Sequence, residues 1–269
     1  MARCPTNEGT ITTPHLTGNQ WQQFERQGYL RLGRLLNDAD LFKLQQRVED
    51  IMMGRADVNY DRMLMQLDEG KEDTRRSLPQ SLGHKGATLN YRKILHMELD
   101  SEYLAYIRRP LFQAICARAY GPATAIACYR TMFFNKPATG GTPLNWHQDR
   151  WDWLDRDPVI TIWTALDAAT RANGCVRVAR GGHKQPLDPP FPGCTMPQDE
   201  EILARLPDTH VDYLEAEPGE AILLHTHLPH ASGINTTGKP RRGLSVVYMD
   251  AATSSARDLP FTILFGSGG

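Results

Sequence analysis

Apolar and polar residues change their rhythm part-way along this chain. After a polar arm over residues 1–18, Thr17-Gly18-Asn19-Gln20-Trp21 opens a helical pattern that runs to about Gly28, and a short apolar strand, Tyr29-Leu30-Arg31-Leu32, follows. Asn37-Asp38-Ala39-Asp40 reads as a helix cap, because Leu41, Leu44, Val48, Ile51 and Met52 then recur at helical spacing. Residues 54–92 are polar and irregular and read as a surface loop or a flap beside a substrate; residues 100–120 read as helical again. Beyond Gly121-Pro122 the period shortens. Strand-like runs cover 125–134, 159–166, 174–178, 210–214, 221–225 and 243–249, with turn clusters such as Pro137-Ala138-Thr139-Gly140-Gly141 and Pro218-Gly219-Glu220 between them. Helices first and many short strands afterwards predict a mainly β fold, a sandwich or barrel with helices flanking one sheet. The proline-rich segment 179–207 is long enough for a lid or a passive surface excursion.

Length and composition narrow this picture. With 269 residues, 41% hydrophobic and 23% charged, the chain predicts one domain, 1–269, with a helical part at about 17–120 and a β core at about 121–250. Thirty Lys+Arg balance 31 Asp+Glu, which gives no basic face for nucleic acid and no membrane-seeking face. Five scattered cysteines without a CxxC exclude a zinc knuckle and a disulfide framework. The first residues lack the apolar core of a signal peptide, and no apolar run approaches the roughly 18 residues of a membrane span, so a cytoplasmic protein is expected.

The chemistry concentrates at Trp146-His147-Gln148-Asp149. On a strand, positions i and i+2 face the same way, so imidazole and carboxylate would converge. A distant second histidine completes a two-histidine, one-carboxylate set that leaves coordination positions open, a ligand set typical of non-haem Fe(II) oxygenases. His230 in Leu228-Pro229-His230-Ala231-Ser232 is the candidate, followed by Asn235 and by Arg241, a fixed cation for an organic acid. Trp146, Trp151 and Trp153 flank the motif and would wall the site from water. A rival exists: if Pro218-Gly219 turns a hairpin, His210 of His210-Val211-Asp212 faces His227, and Asp212 faces His225. His15, His84, His96 and His183 read as ordinary surface or loop histidines, and Arg242 as a surface charge. Arg75, Arg76 and Lys85 would favour an anion, though only weakly.

From about Tyr91 to Tyr248 these motifs together resemble the phytanoyl-CoA dioxygenase family of Fe(II)/2-oxoglutarate oxygenases. Phe134-Asn135-Lys136-Pro137 before Trp146-His147-Gln148-Asp149 is similar to the family's approach to its first metal ligands. Trp163-Thr164-Ala165-Leu166-Asp167, Asn173-Gly174-Cys175 and Gly181-Gly182-His183-Lys184 resemble its middle run, and Pro218-Gly219-Glu220, His230-Ala231-Ser232-Gly233-Ile234-Asn235 and Arg241 its last ligand and oxoacid clamp. Arg180-Gly181-Gly182-His183-Lys184 stands where the family has Pro-Gly-Ser-His-Lys, a departure that touches a turn rather than a ligand. The resemblance implies a double-stranded β-helix, or jelly roll, with outer helices; His147, Asp149 and His230 as iron ligands; and Arg241 and Ser232 at the distal carboxylate of 2-oxoglutarate. It further implies Trp163 and Met132 as walls of that pocket and Lys93 as another contact. The activity implied is O2-dependent hydroxylation, or another oxidation, of an unactivated C–H bond in a small molecule, with succinate and CO2 released. Related halogenases carry a small residue where Asp149 stands, so halogenation is not expected. The alternative is a metal-binding, cupin-like jelly roll without oxygenase activity, an isomerase or ligand-binding protein, which has no need of Arg241.

Overall fold

The computed structural model describes residues 15–68, 81–138, 141–185, 204, 210–257 and 260–266. Helix α1 (Gly18–Gln27) starts at a capping box, in which Thr17 and Gln20 satisfy each other's backbone N–H, and stops at left-handed Gly28. Strand β1 (Tyr29–Arg34) follows, then α2 (Asp38–Met52), whose cap Asn37 accepts the Asp40 N–H at 2.8 Å. Residues 54–92 are not simply a loop. They carry β2 (Leu64–Leu67), β3 (Ser81–Leu82) and the start of β4 (Tyr91–Leu95), with Met63, Met65 and Tyr91 fully buried. The polar residues between these short strands mask their pairing, which is with distant segments. Helices α3 (Ser101–Ile107) and α4 (Pro110–Tyr120) replace one continuous helix. Pro110 is the reason: it forces extended backbone on Arg109 and fits only a helix's first turn.

The strands that follow are β5 (Ile126–Lys136), β6 (Leu144–His147), β7 (Ile160–Ala165), β8 (Val176–Ala179) and β9 (Val211–Leu214). They continue with β10 (Glu220–His225), β11 (His230–Ser232), β12 (Arg241–Asp250) and β13 (Thr262–Phe265). Two sheets result. The larger has the order β1-β10-β7-β12-β5-β4-β2-β3, with β13 also on β5; the smaller is β6-β11-β8-β9. All these pairings are antiparallel. The arrangement is the jelly roll that the family resemblance implies, a form of the sandwich that the strand pattern predicts, with helices on one face.

Period-2 alternation assigns each face of the large sheet. Phe133, Ile160, Ile162, Leu244, Val246 and Tyr248 join the core under the helices with Val48, Ile51 and Phe112. Their strand neighbours Met132, Phe134, Thr161, Trp163 and Ser245 line a cavity between the sheets. Burial of each large apolar side chain contributes about 1.5–3 kcal/mol, so the helix side holds the sheet rigid while the other side is free to carry polar groups. Strand β7 is buried along its whole length because both its faces are covered. No helix among the described residues is long and apolar enough to cross a membrane.

Candidate metal centre and the cavity around it

His147 ends β6 and lies directly opposite His230 on β11, so the two imidazoles stand side by side with ring centroids 4.1 Å apart. Asp149 is not on the strand as the i, i+2 argument assumes; β6 stops at His147. The carboxylate is brought in by a tether beyond the strand end, where the Asp149 N–H donates to the Thr226 carbonyl at 3.1 Å. The intervening Gln148 turns the other way, is buried, and donates to the carbonyls of Gln185 (2.9 Å) and His227 (2.7 Å). Asp149 Oδ1 lies 4.0 Å from His147 Nε2, and one donor atom from each of His147, Asp149 and His230 falls within 4.8 Å of the others. Among the described residues no other group of three ligand-type side chains gathers this way.

Each histidine is oriented from behind. His147 Nδ1 lies 2.8 Å from the Asn145 carbonyl and His230 Nδ1 2.9 Å from that of Leu228, so both Nδ1 atoms donate and both Nε2 lone pairs face the cavity. Burial, then His230, holds the His147 imidazole down at about 4, keeping it neutral as a ligand must be. Burial pushes the Asp149 carboxyl up, but Arg130, His230 and His147 outweigh it and hold the group at about 2. Arg130 Nη2 donates to Asp149 Oδ2 at 3.2 Å, which leaves Oδ1 on the side of the histidines.

The cavity has a volume of about 260 Å³, and Lys93, Met132, Trp163, Ser232 and Arg241 all line it with the triad. Arg241 begins β12 and is 3% exposed. Its Nη2 donates to the Gly174 carbonyl at 2.6 Å, its Nε has no acceptor, and no carboxylate pairs with it among the described residues. Burial pushes this guanidinium down to about 10. A buried cation with donors unmet fits an anionic ligand, and the far carboxylate of 2-oxoglutarate is such a group. Two glycines build the cradle. Gly174 has φ +77°, and a Cβ there would meet the Gly233 carbonyl at 2.4 Å; a Cβ on Gly243 would meet Trp163 Cζ2 at 2.8 Å. Trp163 can therefore lie against β12, 5.8 Å from the Arg241 guanidinium carbon.

Several sequence expectations need correction. Trp146, Trp151 and Trp153 do not line the cavity: Trp146 packs with Ala179 and Ala231, and the other two with Tyr129, Leu154 and Phe261. The rival site is absent because β9 joins the small sheet while β10 joins the large one, so Pro218-Gly219 passes between sheets and closes no hairpin. Asp212 is instead held by Arg180, at 2.5 and 2.6 Å, and by the Tyr29 hydroxyl at 2.9 Å. Arg242 does point away from the cavity but is no free surface charge; it pairs with Asp167 at 2.8 Å and Glu49 at 2.6 Å, fastening β12 to α2. Arg75, Arg76 and nearly all of segment 179–207 beyond Gln185 lie outside the described residues, and Lys85 does not line the cavity. Arg92, Arg130, Lys136, Thr161 and His225 do line it and were missed. Arg130 was accessible by alternation, since it shares the strand phase of Met132 and Phe134.

Comparison with known proteins identifies the family. The phytanoyl-CoA dioxygenase (PhyH) family profile matches residues 24–243. A probable phytanoyl-CoA dioxygenase of Caenorhabditis elegans is 26% identical over 253 residues, spanning 90% of this chain and 77% of the relative. A methylphosphonate hydroxylase of Gimesia maris is 26% identical over 247 residues, 90% of this chain and 84% of that one. The crystal structure of EctD from S. alaskensis with 2-oxoglutarate and 5-hydroxyectoine superposes with a TM-score of 0.67 at 21% identity, covering 91% of this chain and 79% of that one. The profile match runs from within α1 to the third residue of β12 and takes in His147, Asp149, His230 and Arg241, and the chain belongs to the phytanoyl-CoA dioxygenase family of Fe(II)- and 2-oxoglutarate-dependent dioxygenases.

Proposed function

We propose that this dioxygenase hydroxylates, or otherwise oxidises, an unactivated C–H bond of a small-molecule substrate. The observation that carries this reading is the buried, unpaired Arg241 in the same cavity as the metal-facing triad. A metal-binding jelly roll without oxygenase chemistry would gain nothing from such a cation. In this reading His147, Asp149 and His230 hold iron by one face and leave the cavity side open. Arg241 and Ser232 receive the distal carboxylate of 2-oxoglutarate, Trp163 and Met132 wall its carbon chain, and Lys93 is a further contact nearer the metal. Iron with bound 2-oxoglutarate supplies the oxidising chemistry, consuming O2 and releasing succinate and CO2. The protein's part is to orient both partners and exclude bulk water. A cavity of about 260 Å³, to be shared with the cosubstrate, favours a small substrate. Residues 1–269 act as one catalytic unit in this reading, the helical part backing the sheet that carries Arg241.

The test is an anaerobic titration of Fe(II)-loaded protein with 2-oxoglutarate, following the metal-to-ligand charge-transfer band. The band is expected in wild type and in His210→Ala and absent in His147→Ala. A wild type that binds metal but develops no band would overturn the reading.

A further inference from the structure

The cavity has more positive charge than the metal and 2-oxoglutarate account for. Arg92, Lys93, Arg130, Lys136 and Arg241 line it, and Asp149 is the one carboxylate among its described lining residues. A divalent metal adds two positive charges and 2-oxoglutarate removes two, so the loaded cavity keeps its excess. Even with both lysines neutral, and with Asp68 acting on Arg92 and Asp167 on Arg241 from behind the lining, three arginines share one carboxylate inside the cavity. Partly buried cations without counter-charge are costly, and the cost is met when a ligand supplies it.

The excess has a defined place. Arg241 pairs across the sheet with Lys136, whereas Arg130 pairs with Val247. Six residues of strand separate these positions, roughly 20 Å, so the two arginines mark opposite ends of the cavity. A 2-oxoglutarate that reaches Arg241 leaves the Arg130 end open. There Arg130 spends one contact, at 3.2 Å, on Asp149 Oδ2, while its buried Nε has no acceptor. Once a metal ion draws on the Asp149 charge, Arg130 is left with a planar fork of donors and no full counter-ion. A guanidinium in that state matches a carboxylate or phosphonate, which accept two parallel hydrogen bonds.

We propose that the substrate is a small oxyanion, a carboxylate or phosphonate, whose charged group docks on Arg130 beside the metal centre, making Arg130 the residue that selects it. Because Arg130 touches a metal ligand, the carbon to be oxidised lies close to the anionic group. This inference rests on the oxygenase reading above.

The experiment uses anaerobic protein loaded with Fe(II) and saturated with 2-oxoglutarate, so that the cosubstrate site is blocked. Propionate, methylphosphonate and the uncharged propionamide are titrated calorimetrically, with the charge-transfer band recorded in parallel. At least one anion is expected to bind roughly tenfold or more tightly than propionamide. Arg130→Gln, brought to the same iron and 2-oxoglutarate occupancy as wild type, is expected to erase that preference, and Arg130→Lys to restore part of it. The tighter of propionate and methylphosphonate identifies the headgroup. Equal binding of propionamide, no saturable binding of either anion, or anion affinity unchanged in Arg130→Gln would each overturn the proposal. A wild type without the band would instead overturn the oxygenase reading itself.

Discussion

Arg241 is a residue whose surroundings make sense only with a ligand present. It is buried, its Nε is unmet, and its hydrogen-bond partner among the described residues is a backbone carbonyl. A charge-assisted hydrogen bond contributes about 1.5–3 kcal/mol, so Arg241→Met should weaken 2-oxoglutarate binding by one to a few orders of magnitude. The ligand-free variant should melt no lower than wild type, because it no longer buries an unpaired cation. Calorimetry with 2-oxoglutarate, beside a thermal melt of each apoprotein, checks both halves. Lost affinity with a large drop in apoprotein Tm would instead mean that Arg241 serves the fold. At this scale the sequence was informative: donor types and motif order singled out His147, Asp149, His230 and Arg241. Alternation puts Arg130 in phase with Met132 and Phe134, but a lone arginine in an apolar run gives no sign of whether its donors are met.

Strand β12 shows how a single element serves core and cavity at once. Leu244, Val246 and Tyr248 anchor it to the helices, and Arg241 and Ser245 face the cavity. Between them Gly243 leaves room for the Trp163 indole, where an added Cβ would stand 2.8 Å from Cζ2. Gly243→Ala must push the indole off β12, at a cost of about 1–3 kcal/mol for overpacking. The variant should show a lower Tm together with weaker 2-oxoglutarate binding, read by melting and titration of the same preparation. A normal affinity would show that Trp163 is not a wall of the cosubstrate pocket. The strand itself and its two faces were legible as alternation. Strands β6 and β11, only four and three residues long, were too short for a periodic signal, although they carry both metal-facing histidines.

Across the whole molecule, the centre joins the two sheets: His147 and His230 stand on the small one, while Arg241, Trp163 and Met132 belong to the large one. Ligands held from both sides should stabilise the fold by mass action, by about 2.7 kcal/mol for a ligand at a hundred times its Kd. Mn(II) with 2-oxoglutarate is therefore expected to raise Tm by several degrees and EDTA to reverse the rise, and His147→Ala should abolish the metal's share. An unchanged melt on adding both would argue against a site that bridges the sheets. The sequence by itself determined the helix-then-strand order and a mainly β class, and the order of its motifs, through the resemblance they carry, pointed to the jelly roll and the candidate ligand set, because periodicity and motif order are local properties of the chain. Only the tertiary structure removed the rival His210/Asp212 cluster, brought Asp149 to the two histidines from beyond a strand end, and left particular cations without a carboxylate partner. Those outcomes depend on which strands become neighbours, and β9 and β10, joined by a short turn, belong to different sheets.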